Sequence, residues 1–97
     1  MLNILVLAED GNEARHRYLM LVDQLREANI KYRQHFNQLV ITTDNTRTKF
    51  VFSRKHCLGI TPIPDIVCGT NVKLIDSNFE AVSDHDPIYY IKQKELD

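Results

Sequence analysis

The first part of the chain changes from an unbroken apolar run to a helical repeat of apolar positions. Residues 2–8 (LNILVLA) contain a single polar side chain, which is typical of a strand covered on both faces of a sheet. Apolar residues then recur every three or four positions and build one helix face. They are Ala14, Tyr18, Leu21, Val22, Leu25 and Ala28. We therefore predict a buried strand followed by an amphipathic helix over residues 11–29.

A second pattern, in residues 39–53, predicts a β-hairpin. Residues 39–43 (LVITT) and 48–53 (TKFVFS) are rich in β-branched and aromatic side chains, and turn-forming residues (DNTR) separate them. Apolar side chains occur on both faces of these runs, so both faces need cover. Residues 31–38 alternate weakly and fit either a short strand or an ordered loop.

The last part of the chain is interrupted by prolines and contains shorter apolar runs. Residues 65–68 (DIVC) predict a short buried strand, and residues 72–75 predict another. Residues 88–91 (IYYI) form the last apolar cluster, and the polar tail from about residue 92 to residue 97 is expected to fray. We predict a single compact α/β domain over residues 1–97, with one main amphipathic helix packed on a mixed sheet of roughly four to six strands.

Composition fits a small soluble protein without a cofactor. The chain has 97 residues, of which 43% are hydrophobic and 26% are charged. No apolar stretch approaches the roughly 18 residues that span a membrane, and the start lacks the basic segment of a signal peptide. Cys57 and Cys68 follow no metal-binding spacing and are expected to be buried free thiols. We expect a cytoplasmic protein.

Acidic residues occupy the turn between the first strand and the helix. Asp10 and Glu13 fit a D-x-x-E capping box, in which both side chains accept hydrogen bonds from backbone N–H groups at the helix start. A phosphate-binding loop requires several glycines, a lysine and a Ser or Thr, whereas this turn has Gly11 and carboxylates that repel phosphate. Nucleotide binding of the usual kind is therefore disfavoured, and Glu9 is left without a structural role.

Residues 38–70 resemble the core of phosphate-loop ATPases of the viral DNA-packaging and helicase type. In that family a hairpin precedes a loop with glycine, proline and aspartate that leads into a hydrophobic strand, and here the loop runs from Gly59 to Asp65. The phosphate-binding lysine is missing, and residues 68–71 (CGTN) stand where the family has its acidic Mg²⁺-binding pair. The resemblance implies a catalytically empty relative of small size, in the style of a bacteriophage protein.

Carboxylates offer a metal-dependent alternative. Toprim-type enzymes place a Glu after the first strand and a D-x-D after a later one, a pattern that Glu9, Asp84 and Asp86 resemble. No apolar strand leads directly into Asp84, so a solvated loop is the simpler interpretation. Response-regulator receivers also open like residues 1–10, but the chain lacks their later phosphoacceptor aspartate and is too short for their fold.

Positive charge is concentrated in the middle of the chain. Residues 15–56 carry nine Lys or Arg against three acids, whereas residues 57–97 carry three against seven. The candidate binding residues are Lys31, Arg33, His35, Arg47, Lys49, Arg54, Lys55 and His56. Because Tyr32, Phe36 and Phe50 lie nearby in sequence, the segment is also compatible with phosphate contact and base stacking.

These observations favour binding over catalysis. We expect a non-catalytic module, a protein–protein interaction or inhibitor protein that is phage-encoded and acts on a host factor. The first alternative is a nucleic-acid-binding accessory domain that uses the basic hairpin, and the second is a Toprim-like metal-dependent nuclease. Exposed strand edges are also compatible with a homodimer.

Overall fold

Strands and helices form throughout the part of the chain that the computed structural model describes, which is residues 1–53, 63–69, 83 and 85–96. The elements in chain order are β1 (Leu2–Leu7), α1 (Gly11–Glu27), β2 (Arg33–His35), a 3₁₀ turn (Phe36–Gln38), β3 (Val40–Thr42), β4 (Thr46–Val51), β5 (Ile66–Gly69) and α2 (Pro87–Glu95). The strands form one mixed sheet in the order β2-β3-β4-β1-β5. The predicted α/β class is therefore confirmed.

Strand β1 lies between two parallel neighbours, β4 and β5. Side chains from Ile4 to Ala8 are all buried, which explains why the run is apolar at consecutive positions. The predicted hairpin is confirmed as the antiparallel pair β3–β4, although Thr46 and Arg47 belong to β4 rather than to the turn. The predicted strand over residues 72–75 lies outside the described residues.

Helix α1 begins with the predicted capping box. The Asp10 Oδ1 atom accepts a hydrogen bond from the Glu13 N–H at 2.8 Å, and the Glu13 carboxylate accepts one from the Glu9 N–H at 3.3 Å. The helix ends at Glu27, two residues before the predicted end, and Asn29 follows in the left-handed region with φ of 56°. Asparagine tolerates this conformation, which is common just beyond a helix end.

Helix α2 occupies the segment that the sequence identified only as an apolar cluster and a tail. Pro87 is at its start, where the missing N–H costs nothing. The Ile91 side chain is fully buried in the core. Near the helix end, Glu95 Oε1 accepts hydrogen bonds from Thr43 Oγ1 at 2.7 Å and from the Asn45 N–H at 2.8 Å. The segment expected to fray from about residue 92 is thus helical as far as Glu95.

One core cluster lies between the helices and one face of the sheet, and Leu5, Leu7, Val40 and Val51 are buried on the opposite face. Buried side chains of α1 and α2 contact those of alternate strand positions. The strand residues in this cluster include Ile4, Val6, Ile41, Phe50 and Cys68, and Ala8, directly after β1, also belongs to it. The side chains at the intervening strand positions lie on the opposite face, because successive residues of a strand alternate between faces.

Candidate binding site

Four of the basic residues singled out in the sequence lie on one face of the sheet. Two rows cross the strands in register, Arg33–Thr42–Arg47 and His35–Val40–Lys49. Residues directly opposite each other in neighbouring strands share a face, so both rows lie on the side opposite the core cluster. The two basic residues of each row are about 10 Å apart, which is twice the usual strand spacing. We refer to Arg33, His35, Arg47 and Lys49 as the basic face.

Among the described residues, no ion pair involves a side chain of the basic face. Arg33 and His35 are exposed, and Arg47 and Lys49 are half-buried. The ion pair found in the described ranges joins Arg17 and Glu13 of α1 at 2.8 Å, away from this face. Unpaired cations at fixed spacing on a rigid sheet are suited to an anionic partner.

The aromatic residues near the basic segment point the other way. Tyr32 and Phe36 alternate with Arg33 and His35 along the chain, and both side chains contact α1. The Arg26 Nε atom donates a hydrogen bond to the Tyr32 hydroxyl at 2.8 Å, and the Phe36 ring meets the Tyr18 ring edge-on at 5.4 Å. Phe50 is buried in the core. Tyr32, Phe36 and Phe50 therefore do not add aromatic rings to the basic face itself, although Phe36 is about half exposed.

The other candidate basic residues have different positions. Lys31 is exposed two residues before the start of β2 and borders, with Arg33 and Asp44, an open cleft of about 900 Å³. Arg54, Lys55 and His56 lie outside the described residues, so the continuation of the basic face beyond β4 is still a prediction.

Two of the three carboxylates proposed for a metal site, Glu9 and Asp86, lie among the described residues. Glu9 is exposed at the start of α1, and Asp86 is exposed immediately before α2, beside a groove that Arg17 and Met20 line. Asp84 lies outside the described residues. Within the described residues, no group of three or more His, Cys, Asp or Glu side chains is placed to hold a metal ion.

A cavity of about 500 Å³ adjoins the basic face at the carboxyl end of β4. Lys49 belongs to both, and Arg15 of α1 provides a second cation. The remaining lining residues are Phe36, Asn37, Gln38, Leu39, Phe50, Val51 and Phe52. The sequence did not predict this cavity, because its shape depends on the 3₁₀ turn and on the backbone of Leu39. Leu39 has a left-handed conformation with φ of 52°, which is uncommon for leucine and cannot be anticipated from the residue type.

Two groups with shifted pKa values lie in the core. Burial raises the pKa of the Cys68 thiol to about 11, and burial also raises the pKa of the Tyr18 hydroxyl, an effect that the backbone of His35 opposes to a smaller extent. Both groups therefore stay neutral near pH 7 and are unsuited to act as a nucleophile or a base.

Comparison with known proteins supplies no relative for this chain. No protein-family profile matches it, and no curated protein or solved structure is significantly similar to it. Among the described helices, none combines the length and the apolar character needed to cross a membrane.

Proposed function

We propose that this protein is a non-catalytic binding module whose basic face recognises an acidic surface of a protein partner. The observation that carries the proposal is the strand register, which places Arg33, His35, Arg47 and Lys49 on one face without ion-pair partners among the described residues. Such a surface steers and orients a partner of opposite charge and contributes to specificity.

The position of the aromatic rings favours a protein partner over single-stranded nucleic acid. Proteins that hold single strands combine cations with rings on which bases stack. Here Tyr32 and Phe36 contact α1 rather than the basic face, and Phe36 meets cations only in the adjoining cavity, with Lys49 and Arg15. The basic face can therefore contact a partner through its charged side chains and through the surface of the sheet. An acidic protein surface is complementary to both. Without base stacking on this face, the nucleic-acid alternative would depend on contacts between the basic side chains and phosphate groups alone.

The proposal extends to an inhibitor that is phage-encoded, acts on a host protein and works in the cytoplasm. This part rests on the resemblance of residues 38–70 to an ATPase core without its catalytic residues. The buried free thiol of Cys68 is compatible with a reducing compartment.

The test is affinity capture from the source cell with two charge-reversed variants. The first variant carries Arg33→Glu, Arg47→Glu and Lys49→Glu. The matched control carries Lys92→Glu and Lys94→Glu, because these lysines are exposed on α2. Wild type and control should retain a stoichiometric protein after nuclease treatment, and salt should release it. The first variant should lose that protein while unfolding at a temperature close to that of the wild type.

Two results would overturn the proposal. Retention of the same protein by the variant with the reversed basic face would place the binding site elsewhere. Capture that nuclease abolishes, together with a salt-sensitive shift of a single-stranded oligonucleotide, would identify a nucleic-acid-binding module instead.

A further inference from the structure

Strand β2 is at the end of the sheet, and its outer edge pairs with no described residue. Every residue from Arg33 to Gln38 is exposed, which leaves this edge open to solvent. An edge strand presents unpaired backbone N–H and C=O groups and can accept a further strand from another chain. The partner strand is determined by the backbone groups that β2 presents at this edge and by the side chains beside them.

The hydrogen bonds between β3 and β4 fix the direction of the backbone groups in β2. Phe50 N donates to Leu39 O at 2.9 Å, and Thr43 N donates to Thr46 O at 2.9 Å. Odd-numbered residues of β3 therefore direct their N–H and C=O groups toward β4, and even-numbered residues direct theirs toward β2. The backbone groups of Thr42 therefore face those of Arg33, and the backbone groups of Val40 face those of His35.

Gln34 is left with its N–H and C=O groups pointing outward. It pairs in register with Ile41, whose own backbone groups are directed to β4. A strand added in the antiparallel direction would thus exchange its central pair of hydrogen bonds with Gln34. The residues on either side of that central residue would stand opposite Arg33 and His35, with their side chains on the basic face.

The charges of Arg33 and His35 determine which added strand can pair with β2. Side chains directly opposite each other on neighbouring strands lie about 5 Å apart, so acidic residues at alternate positions would pair with Arg33 and His35. A second copy of this chain fits poorly. Antiparallel pairing of two β2 strands about Gln34 would place Arg33 opposite His35 of the other copy. It would also join two basic faces, each with Arg33, Arg47 and Lys49, into one surface.

We propose that the outer edge of β2 binds an extended segment with acidic residues at alternate positions by β-strand addition. The acidic character of the segment rests on the function proposed above, whereas the mode of binding rests on the outward-facing Gln34 backbone. Main-chain hydrogen bonds provide affinity in this mode, and alternate side chains provide specificity. The exposed Arg33 and His35 also discourage pairing with neutral or basic strands.

The test uses a labelled, end-blocked synthetic peptide of alternating glutamate and threonine, and measures its affinity by fluorescence anisotropy at low salt. Gln34→Pro removes the outward N–H, and proline is tolerated at an edge position whose N–H faces solvent. Gln34→Thr changes the side chain but keeps the N–H. We expect the proline variant to bind about tenfold more weakly and the threonine variant to bind like wild type.

Two further measurements separate strand addition from attraction by charge alone. In the wild type, the peptide should slow hydrogen exchange at the Gln34 amide, whereas the Arg33 and His35 amides are already directed to β3. A peptide of the same composition with its glutamates in one block should bind more weakly, because it cannot alternate. The exchange measurement also decides the matter if Gln34→Pro does not fold.

Failure of this inference differs from failure of the proposed function. Strand addition is wrong if the peptide does not bind, or if it binds without protecting the Gln34 amide and equally well to Gln34→Pro. The captured protein would still depend on Arg33, Arg47 and Lys49 in that event, and the proposed function would stand. If binding of the captured protein did not depend on these three residues, the proposed function would be wrong whatever the peptide experiments show.

Discussion

Arg33 and Arg47 lie on the same face of the sheet, with Thr42 between them, and neither has an ion-pair partner among the described residues. Like charges held on one surface repel each other and lower stability slightly. The isolated protein therefore carries an electrostatic cost that an acidic partner would remove, a pattern expected of a binding surface rather than of a structural one.

Arg47→Gln should raise the free energy of unfolding by a few tenths of a kcal/mol at low salt, because two unit charges about 10 Å apart near water interact by roughly that amount. High salt should remove the gain. Urea unfolding at two ionic strengths is the measurement. Arg17→Gln serves as the control, since Arg17 is paired with Glu13 and its removal should lower stability. A loss of stability in Arg47→Gln would show that Arg47 has a structural partner.

Glu95→Ala should lower the free energy of unfolding by about 1–3 kcal/mol, because it leaves the partners of a charged acceptor without their hydrogen bonds. The Glu95 carboxylate accepts hydrogen bonds from Thr43 Oγ1, from the Asn45 N–H and from Asn45 Nδ2 at 3.3 Å. Lys92→Ala, on the same helix and exposed, should change stability little. Equal urea midpoints for the two variants would mean that α2 is not anchored to the hairpin by Glu95.

Tyr18→Phe should leave stability unchanged or raise it by about 1 kcal/mol. Among the described residues, the buried Tyr18 hydroxyl has no hydrogen bond of normal geometry, although the His35 backbone is near enough to affect its pKa, and the buried Thr48 hydroxyl has no partner. Removing an unpaired buried hydroxyl removes a desolvation cost and keeps the packing of the ring. Thr48→Val makes the same comparison on β4. A loss of more than about 1 kcal/mol in chemical denaturation would reveal a partner for the hydroxyl.

Stability should fall as the pH rises from about 9 to about 11, because the pKa of the Cys68 thiol is raised by burial from 9.0 to about 11. The unfolded chain loses the thiol proton first, so the stabilisation is complete below pH 9 and is lost as the pH passes 11. The full effect is on the order of 2 kcal/mol. In a Cys57→Ser background, urea unfolding should show this fall, and adding Cys68→Ala should reduce its slope. Identical slopes would contradict a buried neutral thiol.

Local patterns in the sequence were sufficient to predict the secondary-structure elements that lie early in the chain. The apolar run of β1, the Asp10–Glu13 capping box and the hairpin each depend on neighbours only a few positions apart. Alternation along residues 31–35 also predicted that Lys31, Arg33 and His35 share one side if the segment is extended, and the strand β2 confirms this for Arg33 and His35, whereas Lys31 precedes the strand. Applied further, the same alternation puts Tyr32 and Phe36 on the side opposite Arg33 and His35, which argues against base stacking on the basic face itself.

Other features depend on contacts between distant residues. The pairing of Arg33 with Thr42, and of Thr42 with Arg47, is a matter of strand register, which the sequence alone did not fix to the residue. Helix α2 had a readable signal in Asp86-Pro87, a favoured helix start, but the cluster IYYI lacks a clear helical repeat. The outward direction of the Gln34 backbone follows only once the β3–β4 hydrogen bonds are known.

The central claim is that the basic face is the binding surface, and NMR titration of isotopically labelled protein with polyglutamate tests it most directly. We expect chemical-shift changes that saturate at low salt, disappear at high salt and concentrate on residues 33–35, 40–42 and 47–49. The variant with Arg33→Glu, Arg47→Glu and Lys49→Glu should show none of them. Shift changes concentrated on α1 and α2, or the absence of any change at low salt, would contradict the account.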